Sequence, residues 1–325
     1  MKLAVVGLGA VGRRVCAHLA EAGHDVVGVT HVSWHAASSQ PPPVGLAERV
    51  DRISKLGDVD GAVLCLPAGG HAGLVDKLMS RCQFLVSTSD DVEEVRALLD
   101  RDTQAKAADT RLVVGASFSP GLSCALARVA ANQLDLFDEI HIARYGTGGP
   151  SCARQHHRAL RSRAEDFRDG EWVERPGGSG RELVWFPDGV GASDCYRAAL
   201  ADPYLLIDAF GPLLRVTSRL AATRRDRLTS PFPMLRQPHP EGLRGAIRVE
   251  VRGLVGGARQ SFVYGATQAP AVAAAAVAST VALNAMEWTA PGAHGCASFG
   301  ADLVRGAMAR GCRVARFEGG HSLGW

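Results

Sequence analysis

The first twelve residues limit what this chain can fold into more than any later stretch. Lys2-Leu3-Ala4-Val5-Val6 is a short apolar run leading directly into Gly7-Leu8-Gly9-Ala10-Val11-Gly12, and a helical segment follows to about Ala22. G-x-G-x-x-G is common by chance, but between a strand and a helix it marks a dinucleotide-binding βαβ unit. Gly7 permits the tight turn, Gly9 lets a pyrophosphate approach the backbone, and Gly12 lets the helix pack closely on the strand. Gly7, Gly9, Ala10, Val11 and Gly12 therefore read as phosphate-binding residues. The phosphates would face a helix N-terminus, where free N–H groups and the helix dipole favour negative charge.

The second strand, His24–Val29, ends at Thr30-His31, where an NAD site usually carries Asp or Glu for the ribose 2′-hydroxyl. This chain has neither, so the reading favours NADP over NAD. Thr30, His31 and Ser33 are the residues expected near a 2′-phosphate. Arg13 and Arg14 stand close to the phosphate loop and read equally well as solvated helix residues.

With 325 residues there is room for a nucleotide domain and a second domain of similar size. Apolar residues make up 46% and charged residues 21%, ordinary for a globular chain. The net charge of +3 comes without a basic tract, which argues against a nucleic-acid partner and is compatible with a small acidic substrate. Eight dispersed cysteines form no C-x-x-C pair and read as reduced thiols of a cytoplasmic protein. The alanine-rich stretch Ala269–Met286 contains Pro270, Ser279, Thr280 and Asn284, the pattern of a buried or amphipathic helix rather than a membrane span.

Strands alternate with helices up to about residue 122. Ala62–Leu66, Phe84–Val86 and Leu112–Val114 read as strands, a short helix is expected near Gly45–Leu56, and Val32–Val44, with Pro41-Pro42-Pro43, reads as a loop. Ser87-Thr88-Ser89-Asp90 offers N-cap chemistry for a helix through Lys106. This alternation predicts an α/β protein with an N-terminal doubly wound parallel sheet of Rossmann type, residues 1–122. In such a sheet ligands lie beyond the carboxyl ends of the strands, which brings Leu66, Pro67, Ser87, Thr88 and the 116–121 loop to the nicotinamide end. From about Ser123 strand-like segments replace the alternation, among them Glu139–Tyr145, Glu182–Phe186, Val216–Ala222, Ala246–Leu254 and Gln260–Tyr264. They predict a second, α+β domain on a mixed or antiparallel sheet over 123–268, with helices and a last strand over 269–325 returning to the core.

Cys65-Leu66-Pro67, Ser87-Thr88-Ser89 and Gly115-Ala116-Ser117-Phe118-Ser119-Pro120-Gly121-Leu122 follow the glycine loop in an order that resembles the saccharopine dehydrogenase-like NAD(P) oxidoreductases. Residues 167–174 and 186–191 also resemble the second domain of that family's reductase-type members, and the likeness covers roughly residues 1–265. The resemblance implies a Rossmann domain, a mixed-sheet substrate and dimerisation domain, and hydride transfer at a C–N bond of an amino-acid-like or polyamine-like substrate. Some members use a lysine for acid–base work, but this chain has no lysine beyond Lys106, so that chemistry does not carry over.

Hydride transfer needs alignment and one acid or base. The densest candidate stretch is Arg144–Pro150 followed by Arg154-Gln155-His156-His157-Arg158. There His156 or His157 could exchange a proton, while Arg154 and Tyr145 position substrate. The bland reading of the same residues is a surface loop entering a basic helix. Cys152, His156 and His157 lack a fourth ligand at zinc spacing, so no metal is expected. Asp194, Tyr196 and Asp202 are further candidates, otherwise read as helix-capping and interface residues. The reading is thus an NAD(P)-dependent oxidoreductase, cytoplasmic and homodimeric, acting at a C–N or C–O bond of a small, carboxylate-bearing substrate. Its rivals are a non-catalytic dinucleotide-binding sensor or scaffold, and an enzyme using the nucleotide in a non-redox isomerisation.

Overall fold

The computed structural model describes residues 1–30, 44–234, 238–239, 242–318 and 321–324. His31, Ser33 and Pro41-Pro42-Pro43 lie outside them. Strands β1 (Lys2–Val6), β2 (Asp25–Val29), β3 (Glu48–Val50), β4 (Gly61–Leu64), β5 (Phe84–Ser87) and β6 (Arg111–Val114) join β15 (Gly292–Gly295) in a seven-stranded sheet. Its order is β15-β6-β5-β4-β1-β2-β3, and every pairing is parallel. The central strands are unbroken buried apolar runs, such as Leu3–Val6 and Ala62–Leu64, because helices cover both faces of such a sheet.

Helices α1 (Gly12–Glu21), α2 (His71–Leu78), α3 (Val92–Leu99) and α4 (Asp102–Ala107) connect these strands. The helix expected through Lys106 is thus broken in two. Asp91, rather than Ser87 or Ser89, caps α3, its Oδ1 accepting from Glu94 N at 3.2 Å. Over Gly45–Leu56 the structure has strand β3 and a single 3₁₀ turn at Ile53–Lys55 in place of the expected helix. Pairing of β3 with β2, which buries Val50, overrides the local preference there.

Strands β7 (Leu136–Tyr145), β8 (Arg163–Arg168), β9 (Glu171–Pro176), β10 (Glu182–Trp185), β11 (Ala192–Arg197), β12 (Arg215–Ala221), β13 (Gly245–Val255), β14 (Ala258–Gln268), β16 (Arg313–Glu318) and β17 (His321–Gly324) form a ten-stranded mixed sheet. β7 and β12 run parallel, while β13 is antiparallel to both β7 and β14. The apolar helix α5 (Leu122–Ala131) leaves the first sheet and packs under β13 and β14. Helices α6 (Pro150–Arg161), α7 (Asp202–Phe210) and α8 (Arg224–Thr229) belong to the connections of this sheet. The chain then returns through α9 (Pro270–Trp288) and α10 (Gly300–Ala309). By length and apolarity α9 would suffice to cross a bilayer, but it packs on α1, β4, β5 and β6, with 67% of its apolar stretch buried. A contact between His18 Nδ1 and Ser279 Oγ at 3.1 Å ties α9 to α1.

Candidate active site

One cleft of about 1680 Å³ runs along the carboxyl ends of the parallel strands and into the second sheet. Gly7, Gly9, Ala10 and Val11 line it at one side, with Thr30, Leu66, Pro67 and Thr88 beside them. Thr88 is anchored by its hydroxyl, which donates to the Leu64 carbonyl at 2.9 Å.

The three glycines of the loop have separable roles. Gly7 has φ +95°, and a Cβ on it would stand 2.4 Å from the Cys65 carbonyl oxygen. A Cβ on Gly12, which is buried, would stand 1.8 Å from the Gly7 oxygen. Those two glycines are required by the fold itself. Gly9 differs: a Cβ there meets nothing within 4 Å, and the residue lines the cleft. Space is thus held open above the loop and the start of α1, which fits a pyrophosphate.

Thr30 also lines the cleft, and its N–H donates to the Val50 carbonyl at 3.1 Å. That bond draws in Asp51 and Arg52, which follow β3 and line the same cleft, as do Lys77 and Arg81. The end of β2 carries no carboxylate, as expected, but Asp51, just past the end of β3, brings one to the cleft. Its carboxylate is held by Lys55 at 3.0 Å and by Arg52 at 3.4 Å, and these bonds lower its pKa. Three cationic side chains thus accompany one paired carboxylate.

At the other end the cleft reaches the end of β7 and the start of α6. Here Asp90, Arg144, Cys152 and His156 meet. Arg144 Nη2 donates to Asp90 Oδ2 at 3.1 Å and to His156 Nε2, and it lies 3.9 Å from Cys152 Sγ. Cys152 Sγ is 3.4 Å from the same imidazole nitrogen. Burial and the adjacent guanidinium hold His156 well below the usual imidazole range, so it is a neutral acceptor. Burial likewise pushes the Cys152 thiol up to about 11, Asp90 adding to the effect against Arg144. Asp90, Cys152 and His156 are close enough to share a metal ion, but the Arg144 guanidinium stands among them, so the trio does not fit a second cation.

Beneath the cleft Asp202, fully buried at the first position of α7, accepts from Ser119 Oγ at 2.9 Å and Ser123 Oγ at 2.5 Å. Burial raises its pKa, opposed by Arg144 and the two hydroxyls. Ser119 itself lines the cleft.

The expected residues are divided by this geometry. Tyr145 lines the cleft, its ring 5.9 Å from that of Phe186. His156 is buried behind Arg144 rather than facing the cleft. Neither His157 nor Arg154 lines it: His157 Nε2 binds the Phe232 carbonyl at 2.8 Å, and Arg154 is exposed beside Ser151. Adjacent helix positions are rotated by about 100°, so at most one of the two histidines can face inward. Ser87 is also away from the cleft, fully buried with its hydroxyl 2.9 Å from His71 Nδ1. Tyr196 is buried among Leu160 and Leu220 under Arg227, and Asp194 pairs with Arg181 at 2.9 Å. Asp51, Arg52 and Asp90 were missed as site residues. Asp90 carried a signal, since it ends the Ser87–Asp90 turn after a strand, but its partner Arg144 is 54 residues away.

The family model described as ketopantoate reductase PanE/ApbA matches residues 3–41, the glycine-loop segment. No curated protein sequence matches the chain. Among solved structures, a probable dehydrogenase from Thermotoga maritima is similar over 95% of this chain and 93% of its own, at 13% identity and TM-score 0.48. A meso-DAPDH mutant from Clostridium tetani E88, crystallised with DAP, covers 91% and 93% at 15% identity and TM-score 0.46. A dipicolinate-bound dihydrodipicolinate reductase from Paenisporosarcina sp. TG-14 covers 92% and 98% at 12% identity and TM-score 0.46.

Proposed function

We propose that this protein is an NADP(H)-dependent oxidoreductase acting at a C–N or C–O bond of a small, amino-acid-like substrate that bears a carboxylate. The observation that carries the reading is the single cleft joining the glycine loop to Arg144, Tyr145 and the first turn of α6. Its volume of about 1680 Å³ exceeds the roughly 300–1,000 Å³ of a drug-sized pocket and suits a dinucleotide with a small substrate beside it. The nicotinamide, when bound, supplies or takes up the hydride.

Gly9, Ala10 and Val11, with the N-terminus of α1, hold the pyrophosphate in this reading, and Leu66, Pro67 and Thr88 border the path toward the substrate. Arg52, Lys77 and Arg81 outnumber Asp51 at the ribose end, which supports a preference for the 2′-phosphate of NADP. Arg144 and Tyr145 contact substrate, and His156 acts through Arg144 by accepting its N–H, which fixes the guanidinium. A finer kinship with saccharopine reductases rests on the Gly115–Leu122 turn, whose Ser117, Phe118 and Ser119 line the cleft. A cytoplasmic homodimer, assembled through the second sheet, completes the proposal.

Fluorescence titration of the full chain with NADPH and NADH tests it. Selective binding of NADPH supports the reading and justifies screening imines, 2-oxo acids and amino acids for turnover. Failure to bind either nucleotide overturns it.

A further inference from the structure

Two helices begin at the substrate end of the cleft. Gly149 is the N-cap of α6, and Pro150, Ser151 and Cys152 of its first turn line the cleft. α9 starts beside it, with Pro270 and Ala271 lining the same space. The two starts abut, since a Cβ on Gly148 would stand 3.2 Å from the Ala271 nitrogen. Neither helix has a side-chain cap, so its first-turn N–H groups keep their positive partial charge.

The second observation is Arg144. Its side chain is 8% exposed and lies against the first turn of α6, yet Nη1 is buried without a hydrogen-bond partner. A buried donor left unpaired destabilises the site, and an arriving acceptor removes that cost. Asp90 and His156 occupy the other terminal nitrogen and fix the guanidinium plane. Asp90 also offsets one positive charge, so the pocket matches a monoanion better than a doubly charged phosphate.

We infer that the first turns of α6 and α9 and Arg144 form the anion subsite of the cleft, and that it takes the carboxylate of the substrate. Calling that ligand a substrate rests on the oxidoreductase reading; the binding of a carboxylate does not. Arg144 is thereby the residue that selects for a carboxylate, in place of the exposed Arg154.

The probe is trifluoroacetate, compared with neutral trifluoroacetamide, read by fluorine-19 line broadening on the full chain with NADP⁺ in excess to cover the glycine loop. Broadening of trifluoroacetate at least about tenfold above that of trifluoroacetamide is expected, the size of a charge-assisted contact. Arg144→Met should bring it down to the trifluoroacetamide level. Cys152→Asp should do the same by placing a carboxylate in the subsite, a change that favours a helix N-terminus and so guards against loss of fold. Equal broadening by the two probes, or persistence of the trifluoroacetate effect in folded Cys152→Asp, overturns the inference. Displacement of trifluoroacetate by inorganic phosphate more readily than by acetate would overturn the choice of a carboxylate. Loss of nucleotide binding with the trifluoroacetate effect intact would instead strike the oxidoreductase reading alone.

Discussion

Replacement of Gly9 by alanine separates the needs of the fold from those of the ligand. The backbone at Gly9 is outside the left-handed region, and a Cβ there meets nothing within 4 Å. Alanine should therefore leave the folded state unstrained, and the stiffer unfolded chain can add about 0.4–1 kcal/mol of stability. The methyl instead enters the space above the phosphate loop. Moving a pyrophosphate away from the loop weakens one or two charge-assisted bonds of about 1.5–3 kcal/mol each. A total of about 2–4 kcal/mol corresponds to a roughly 30- to 1,000-fold rise in the Kd for NADPH. Gly12→Ala is the counterpart: its Cβ would stand 1.8 Å from the Gly7 oxygen and 3.3 Å from Cys65 Cβ. Crowding of that kind costs about 1–3 kcal/mol and lowers Tm by several degrees. Thermal melts and NADPH titrations on both variants decide the matter. Wild-type affinity in Gly9→Ala, or a fall in Tm as large as that of Gly12→Ala, would refute the reasoning.

At the ribose end, Arg52→Ala should weaken NADPH about five- to tenfold and leave NADH unchanged, the value of one exposed charge-assisted contact; equal loss for both nucleotides in paired titrations would count against a 2′-phosphate role. His156 is held neutral in the folded protein, so the unfolded chain takes up its proton first as pH falls below 6.5, and stability is lost from there downward. His156→Gln should flatten that part of the acid limb, as seen in urea midpoints measured at about pH 5 and 7.5. Asp202 has the opposite sign: its raised pKa makes the folded state hold a proton longer, so stability falls as pH rises from 3.8 through the folded value. Asp202→Asn should remove that fall, and an unchanged pH profile would show that Ser119, Ser123 and Arg144 offset the burial fully.

The parts legible in the sequence were those whose signal is local. The glycine loop, the apolar runs at β1, β4, β5 and β6, and the alternation in β13 each declare themselves within a dozen residues. β15 could not be found that way: Gly-Ala-His-Gly has no strand preference and is held by its register with β6. β8 and β9 were missed because Arg163–Arg168 and Glu171–Pro176 are mostly charged or exposed and pair with each other, β8 also pairing with β12. At the site, sequence chemistry brought out the Arg144–Arg158 stretch but not its allocation. Arg144, the penultimate residue of β7, turns inward to Asp90, whereas Arg154 lies on the outer face of α6. Burial, which no local pattern expresses, makes His156 a partner for the guanidinium and leaves His157 outside the cleft.

The late return of the chain has a consequence for how the molecule can be cut. β15 covers the edge of β6, and α9 covers α1 and the face of β4 and β5, yet both are made after the whole second sheet except β16 and β17. A fragment ending near residue 122 would expose the apolar face that α9 shields and leave β6 as a bare edge open to pairing with another chain. The half of the molecule built on the seven-stranded sheet is therefore not a detachable module. During synthesis it must wait for its final helix and strand, so β7 to β14 of the second sheet are made before the first sheet is closed.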